Sequence, residues 1–176
     1  MSFDVVVAAD LDWGIGKTNG LPWPRLPGDL AHFKRVTCAA EPGHTNAIVM
    51  GSRTWESKEV AGKPLPRRVN VVISSRALVV PEGVEVAASL DAALAIAAAR
   101  ATGTTFVVGG AAIYRLAFAH PAIARVYLTR VQGHFECDTH IPDLDAAGFA
   151  VTEVLSEAED NGVRYRIEVL RRTESA

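Results

Sequence analysis

The stretch that decides the fold is TTFVVGGAAIYRLAF, residues 104–118. A short apolar run rich in β-branched residues passes through Gly109 and Gly110 into residues that read as a helix. Small residues at such a junction let the backbone approach an anion, and the helix start offers free N–H groups to a pyrophosphate. The spacing is not the Gly-x-Gly-x-x-Gly fingerprint, and a Gly-Gly after a strand also serves as a plain tight turn.

The same pattern recurs on either side. AIVM, residues 47–50, runs into Gly51-Ser52-Arg53-Thr54, and VNVVIS, residues 69–74, into Ser74-Ser75-Arg76. Further strands are expected over Val5–Ala9 and Val126–Thr129. Several of these runs are continuously apolar, as strands buried on both faces are, so helices must cover both sides of the sheet. One helix is expected over Pro27–Thr37, with Leu30, Phe33 and Val36 at helical spacing, and another after Ser89, which can cap LDAALAIAAARA ahead of Gly103. The last third alternates: FAVTEVLSEAED and NGVRYRIEVL read as two antiparallel strands joined at Asn161-Gly162. The expected fold is α/β, with a mainly parallel central sheet, an antiparallel C-terminal edge and helices on both faces. With 176 residues and no repeat or linker, a single domain over residues 1–176 is expected.

Composition narrows the partners. A net charge of -2 provides no basic field for a nucleic-acid backbone, and no apolar run reaches membrane-spanning length. Cys38 and Cys137 form no framework, and the start MSFDVVVAAD carries neither a basic leader nor a long apolar run, so a reduced, cytoplasmic protein is expected. Three ligands at His134, Cys137 and His140 would not share one face of a strand and lack a fourth, so no metal is expected.

Three strand ends rich in Gly, Ser, Thr and Arg make a plausible nucleotide cradle, because open α/β sheets bind ligands beyond the carboxyl ends of their strands. Arg53 and Arg76 suit the 2′-phosphate of NADPH, although either could be solvated surface charge. Asp10–Pro27, with three Gly, three Pro and two Trp, is too long for an idle connection and reads as a lid or as a crossover packed by Trp13 and Trp23. Asp29, at the start of the first helix, either caps it or faces a pocket shared with the first strand and the lid.

In this order, VVAAD, GIGKTNGLPW, LPGDLAHFKRVT, AIVMGSRTWES, KPLPRRVNVVISS, FVVGGAAIY, VYLTRV and ECDTHIPD closely resemble the dihydrofolate reductase family over almost the whole chain. The resemblance implies a single domain built on a sheet of about eight strands. It implies hydride transfer from NADPH to C6 of 7,8-dihydrofolate, with a proton at N5. Asp29 matches the carboxylate that grips the pterin edge, and Thr129 its partner. Val7, Ala8, Leu30 and Phe33 match the pterin and aryl walls, joined by Lys58, Lys63 and Leu65, and Arg68 matches the residue that binds the glutamate α-carboxylate. Ala9, Ile15, Gly16, Asn19 and Gly20 fall near the nicotinamide. Gly51, Arg53, Thr54, Ser74, Ser75 and Arg76 fall along the adenosine and phosphates, and Val108, Gly109, Gly110, Ala111, Ala112, Ile113, Tyr114 and Thr139 on the pyrophosphate and ribose side. Gly14–Trp23 resembles the mobile lid, Asp138 a residue that holds it closed, and Leu21 and Trp23 the residues that control access of water. Asp29 orients and polarises the pterin rather than touching N5. Antifolates are expected to compete, and the protein to act as a monomer.

Two positions depart from the family pattern: Lys58 stands where an apolar residue is usual, and Ala111 where a third glycine is common. Lys58 puts the tail in question and keeps dihydromethanopterin as an alternative substrate, against which Arg68 argues. A non-catalytic nucleotide-binding relative is the reading from another class; the presence of Asp29, Trp23, Thr129 and Gly109-Gly110 argues against it. His32 is expected to pack on the helix surface without acting as a base.

Overall fold

Strands that are apolar on both faces need cover on both, and the chain supplies it from alternate connections. In the computed structural model, which describes residues 1–174, the order is β1 (Phe3–Ala9), β2 (Gly14–Gly16), α1 (Pro27–Cys38), β3 (Ala47–Gly51), α2 (Ser52–Trp55), β4 (Val69–Ile73) and β5 (Glu85–Ala87). There follow α3 (Leu90–Arg100), β6 (Thr105–Val107), α4 (Ala111–Ala119), β7 (Ile123–Val131), β8 (Thr139–His140), β9 (Phe149–Asp160) and β10 (Val163–Arg172). Eight strands form one sheet in the order β5-β4-β3-β6-β1-β7-β10-β9. The first six pair in parallel; β10 runs antiparallel to both β7 and β9.

Side chains alternate along each strand and so divide the core. Val5, Val7, Val49, Val71 and Val107 meet α3 and α4 through Leu94, Ala97, Ala117 and Phe118. Val6, Ile48, Met50, Val72 and Phe106 meet the other side, where Phe33 and Val36 of α1 and Trp55 of α2 pack. A third cluster joins Trp23 and Leu26 to Val131, Val163, Tyr165 and Ile167. Truncating a fully buried residue such as Ile48 costs about 2–5 kcal/mol.

The expected elements are present, with instructive exceptions. Ser89 caps α3, its hydroxyl accepting from Ala92 N at 3.1 Å. Gly103 is no left-handed cap, because α3 ends on Ala101 in an extended conformation. It is a close-approach glycine, since a Cβ there would lie 2.2 Å from Asn46 Oδ1. Asn161 and Gly162 take the paired positive φ angles, 49° and 78°, that a two-residue hairpin needs. The long segment after β1 contains a strand of its own, β2, which pairs with β8. His32 corrects the surface expectation: it is 2% exposed, with its ring 6.3 Å from that of Tyr127. Burial, with the Arg35 charge added, pushes its pKa down to about 4, so it is neutral near pH 7.

Candidate active site

The strands β3 and β6 are neighbours, yet the chain leaves them toward opposite faces, into α2 and α4 respectively. A crevice opens at such a divergence. Here it is a cleft of about 810 Å³ beyond the carboxyl ends of β1, β3, β4 and β6.

Its inner end is built around Asp29. Thr129 Oγ1, from β7, donates to Asp29 Oδ1 at 2.6 Å. Val7, Ala8, Leu30, Phe33 and Leu65 surround the pair with apolar wall. Burial raises the Asp29 pKa; the Thr129 bond works against this and the Asp160 charge adds to it. Leu30 is exposed and Phe33 half-buried because the apolar stripe of α1 turns largely to the cleft, leaving His32 and Thr37 to be buried.

The other end carries the strand termini. Gly109 has φ +136°, and a Cβ on it would stand 2.8 Å from Thr54 Oγ1, so neither the backbone conformation nor the space admits a side chain. The α4 helix begins on the cleft wall at Ala111 with no side-chain cap, so its first-turn N–H groups have no helical acceptor. Ala111 takes the place of a third glycine there without blocking the wall. Gly51, Arg53, Thr54, Ser74, Ser75, Val108, Gly110, Ala112, Ile113 and Tyr114 complete this half. Tyr114 donates its hydroxyl to Val6 O at 2.7 Å and is fully committed to the wall.

The lid crosses between the halves, bringing Ile15, Gly16, Asn19, Gly20 and Leu21 to the cleft, with Thr139 beside them. Its root is organised by Asp10, whose Oδ1 accepts from Gly14 N at 2.8 Å and Asp12 N at 2.9 Å, and whose Oδ2 accepts from Phe135 N at 3.0 Å. Asp138 ties it at one side, accepting from Thr18 N at 2.8 Å and donating its own N–H to Gly16 O at 3.0 Å. Glu59 ties it at the other, accepting from Leu21 N at 2.9 Å. His134 Nδ1 and Cys137 Sγ are engaged with Asp12 and Asp10 rather than with each other, and both cysteines are free.

Some expected residues stand outside the cleft walls. Between Ser57 and Pro64 the chain coils tightly, with Ala61 N donating to Ser57 O and Lys63 N to Val60 O. That turn leaves Lys58 and Lys63 exposed and presents Val60 to the cleft, so the apolar wall that seemed lost at Lys58 is made two residues later. Lys58 lies instead against the lid, where a Cβ on Gly20 would come within 3.1 Å of its Cδ. Arg68 is held by Pro66 O and Thr37 Oγ1, both at 2.9 Å. Arg76 pairs with Glu56, leaving Arg53 as the arginine on the wall. Ala9 points to the core, and Trp23 is buried in the third cluster, where its ring meets Phe135 edge to face. Residues not anticipated include Met50, Ser57, Glu59, Val60, Ile73, Leu90 and Leu116.

A parallel sheet whose strand ends carry a glycine cradle, an uncapped helix start and a deep carboxylate defines an α/β domain that binds a nucleotide beside a second, cationic or amidine-like ring. A family model for dihydrofolate reductase matches residues 2–172. The chain belongs to the dihydrofolate reductase family. It is 39% identical over 150 residues to a dihydrofolate reductase of Schistosoma mansoni, covering 82% of this chain and 80% of that one. With the dihydrofolate reductase of Rattus norvegicus it shares 35% identity over 175 residues, 93% and 94% of the two chains. The bifunctional dihydrofolate reductase-thymidylate synthase of Glycine max is 39% identical over 183 residues, and this chain spans only 34% of its length. A solved Schistosoma mansoni dihydrofolate reductase superposes with a TM-score of 0.85 at 34% identity, covering 98% of each chain.

Proposed function

We propose that the protein reduces 7,8-dihydrofolate to 5,6,7,8-tetrahydrofolate, adding a hydride at pterin C6 and a proton at N5. The observation that carries this reading is the Asp29–Thr129 pair, bonded at 2.6 Å at one end of a cleft whose other end carries the Gly109-Gly110 cradle. NADPH, when bound, supplies the hydride. The residues present fit it: the uncapped start of α4 suits a pyrophosphate, the space beside Gly109 suits a close backbone approach, and Arg53 suits a 2′-phosphate.

Asp29 accepts from the 2-amino and N3 edge of the pterin, while Thr129 fixes the carboxylate plane. Val7, Ala8, Leu30 and Phe33 hold the ring in one orientation, and such alignment accounts for much of the catalysis in a hydride transfer. Asp29 polarises the ring so that a water carries the proton to N5, with Leu21 on the lid limiting access and Trp23, buried against Phe135, holding the far end of the lid. Val60 and Leu65 flank the aminobenzoyl group, and Arg68, three residues beyond Leu65 in sequence, takes the α-carboxylate. The same reading has the protein acting as a monomer in the cytoplasm and inhibited by antifolates that present an amidine-like edge to Asp29. No helix among the described residues is long and apolar enough to cross a membrane.

NADPH oxidation followed with dihydrofolate and dihydromethanopterin side by side tests the substrate. Turnover of dihydrofolate is expected to dominate; turnover of dihydromethanopterin alone would overturn the assignment.

A further inference from the structure

The helix that carries Asp29 lacks a cap of its own. Its N-cap residue is Leu26, which makes no side-chain capping bond, and Pro27 follows. A helix start leaves its first N–H groups without helical acceptors. At α1 one of them is taken from a distance of 132 residues: Gly28 N donates to Asp160 Oδ2 at 2.8 Å. The same oxygen accepts from the Tyr165 hydroxyl at 2.7 Å. Next to it, Asn161 Nδ2 donates to Arg25 O at 2.6 Å, so the tip of the β9–β10 hairpin grips the chain just before α1 as well as within its first turn.

The fit is close. A Cβ on Gly28 would lie 2.2 Å from Tyr165 Oη and 3.0 Å from Asp160 Oδ2, so the tyrosine fills the space that any other residue at that position would use. Gly28 adjoins Asp29 in sequence, and β10 is also the strand that pairs with β7, where Ile167 stands opposite Thr129. One hairpin therefore braces both partners of the Asp29–Thr129 bond.

We propose that Asp160 is a positioning residue for Asp29: its carboxylate caps the helix that carries Asp29, fixes its first turn against Tyr165, and sets a second negative charge near the pterin-binding carboxylate. The proposal rests on the reading of Asp29 as the pterin anchor.

The titratable groups around Asp29 are Tyr114 from α4, Tyr165 from β10 and Asp160 at the end of β9, with His32 one turn further along α1. Both tyrosines are held protonated by burial, and His32 is neutral above about pH 4. Asp160 is thus the neighbour whose charge bears on Asp29 near pH 7. Its own pKa is lowered by the bonds from Tyr165 and Gly28, so it is ionised there.

The test uses the full chain with ¹³C-labelled aspartate carboxyls, the Asp29 resonance being assigned by its disappearance in Asp29→Asn. Asp160→Asn keeps an oxygen that can accept both bonds and removes only the charge. The Asp29 titration is expected to move to lower pH in this variant, and the pH profile of dihydrofolate reduction to move with it. Asp160→Ala, which also removes the cap, is expected to lower kcat/KM severalfold further than Asp160→Asn does. A purely structural role would lower the unfolding temperature and leave the Asp29 midpoint in place. An unchanged midpoint in folded Asp160→Asn overturns the proposal. Absence of dihydrofolate turnover in the unsubstituted protein would instead overturn the function on which it rests, and the carboxyl titration is read without turnover.

Discussion

Asp29 and His32 lie one turn apart on α1, and burial moves both toward their neutral forms, so they act oppositely on stability as pH changes. The folded-state pKa of Asp29 is raised, which means that it favours the fold when protonated and that this contribution is lost as pH rises through the raised value. At neutral pH a carboxylate is therefore held where the fold does not favour one, as functional sites commonly require. His32 has its pKa lowered from 6.5 to about 4. Its contribution is present in full above pH 6.5 and is lost as pH falls toward about 4, because the unfolded chain takes up a proton that the folded one refuses. Urea unfolding of the unsubstituted protein and of His32→Phe at either end of that window checks this. The unsubstituted protein is expected to lose stability on acidification that the variant keeps; parallel losses would contradict the burial argument. A histidine in LAHFKRV looks like a surface residue because the apolar spacing points to Leu30, Phe33 and Val36. The helix instead turns part of that stripe to the cleft, where a substrate rather than the core would cover it.

The α1 helix and the β9–β10 hairpin are each legible from their own residues: Pro27 and Asp29 at one start, Asn161-Gly162 at the other turn. Their meeting is not, because nothing local links Gly28 to a carboxylate 132 positions away. The packing makes a definite prediction. Alanine in place of glycine inside a helix is ordinarily favourable by about 1 kcal/mol, whereas forcing a methyl into occupied space costs about 1–3 kcal/mol. With Tyr165 Oη at 2.2 Å from the new Cβ, the clash wins, and Gly28→Ala is expected to destabilise the protein. In a Tyr165→Phe background the hydroxyl is gone, Cζ lies at an ordinary 3.5 Å and Asp160 Oδ2 at 3.0 Å is the remaining tight contact, so the same substitution should cost less. A double-mutant cycle by urea unfolding reads the difference, and additivity of the two substitutions would show that they do not meet. The turn between Ser57 and Pro64 gives the same lesson: Lys58 has the right distance from Trp55 in sequence, but a coil of backbone bonds brings Val60 to the cleft instead.

For the molecule as a whole, apolar runs foretold a sheet covered on both faces, and the last third foretold its antiparallel edge. Strand order did not follow from periodicity, since VVVAA, AIVM and FVV look alike whichever strands they adjoin; the structure supplies it. The order β3-β6-β1 matters because it brings the Gly51 and Gly109-Gly110 ends beside the strand whose residues Val7 and Ala8 flank Asp29. Nucleotide cradle and carboxylate thus share one cleft, closed over by a lid tied to Asp138 on one side and Glu59 on the other. The lid's length and glycines were visible, but not its internal strand or the Glu59 tether, both of which depend on residues distant in sequence. Asp29 is the group on which the proposed pterin reduction in this cleft depends, and the most direct measurement is NADPH-dependent dihydrofolate reduction by Asp29→Asn beside the unsubstituted protein at neutral pH. Asparagine preserves shape and removes a charge that burial disfavours, so the variant is expected to fold with unchanged or higher stability and to bind NADPH normally. Its turnover is expected to fall at least about a hundredfold; turnover close to that of the unsubstituted protein would contradict the account.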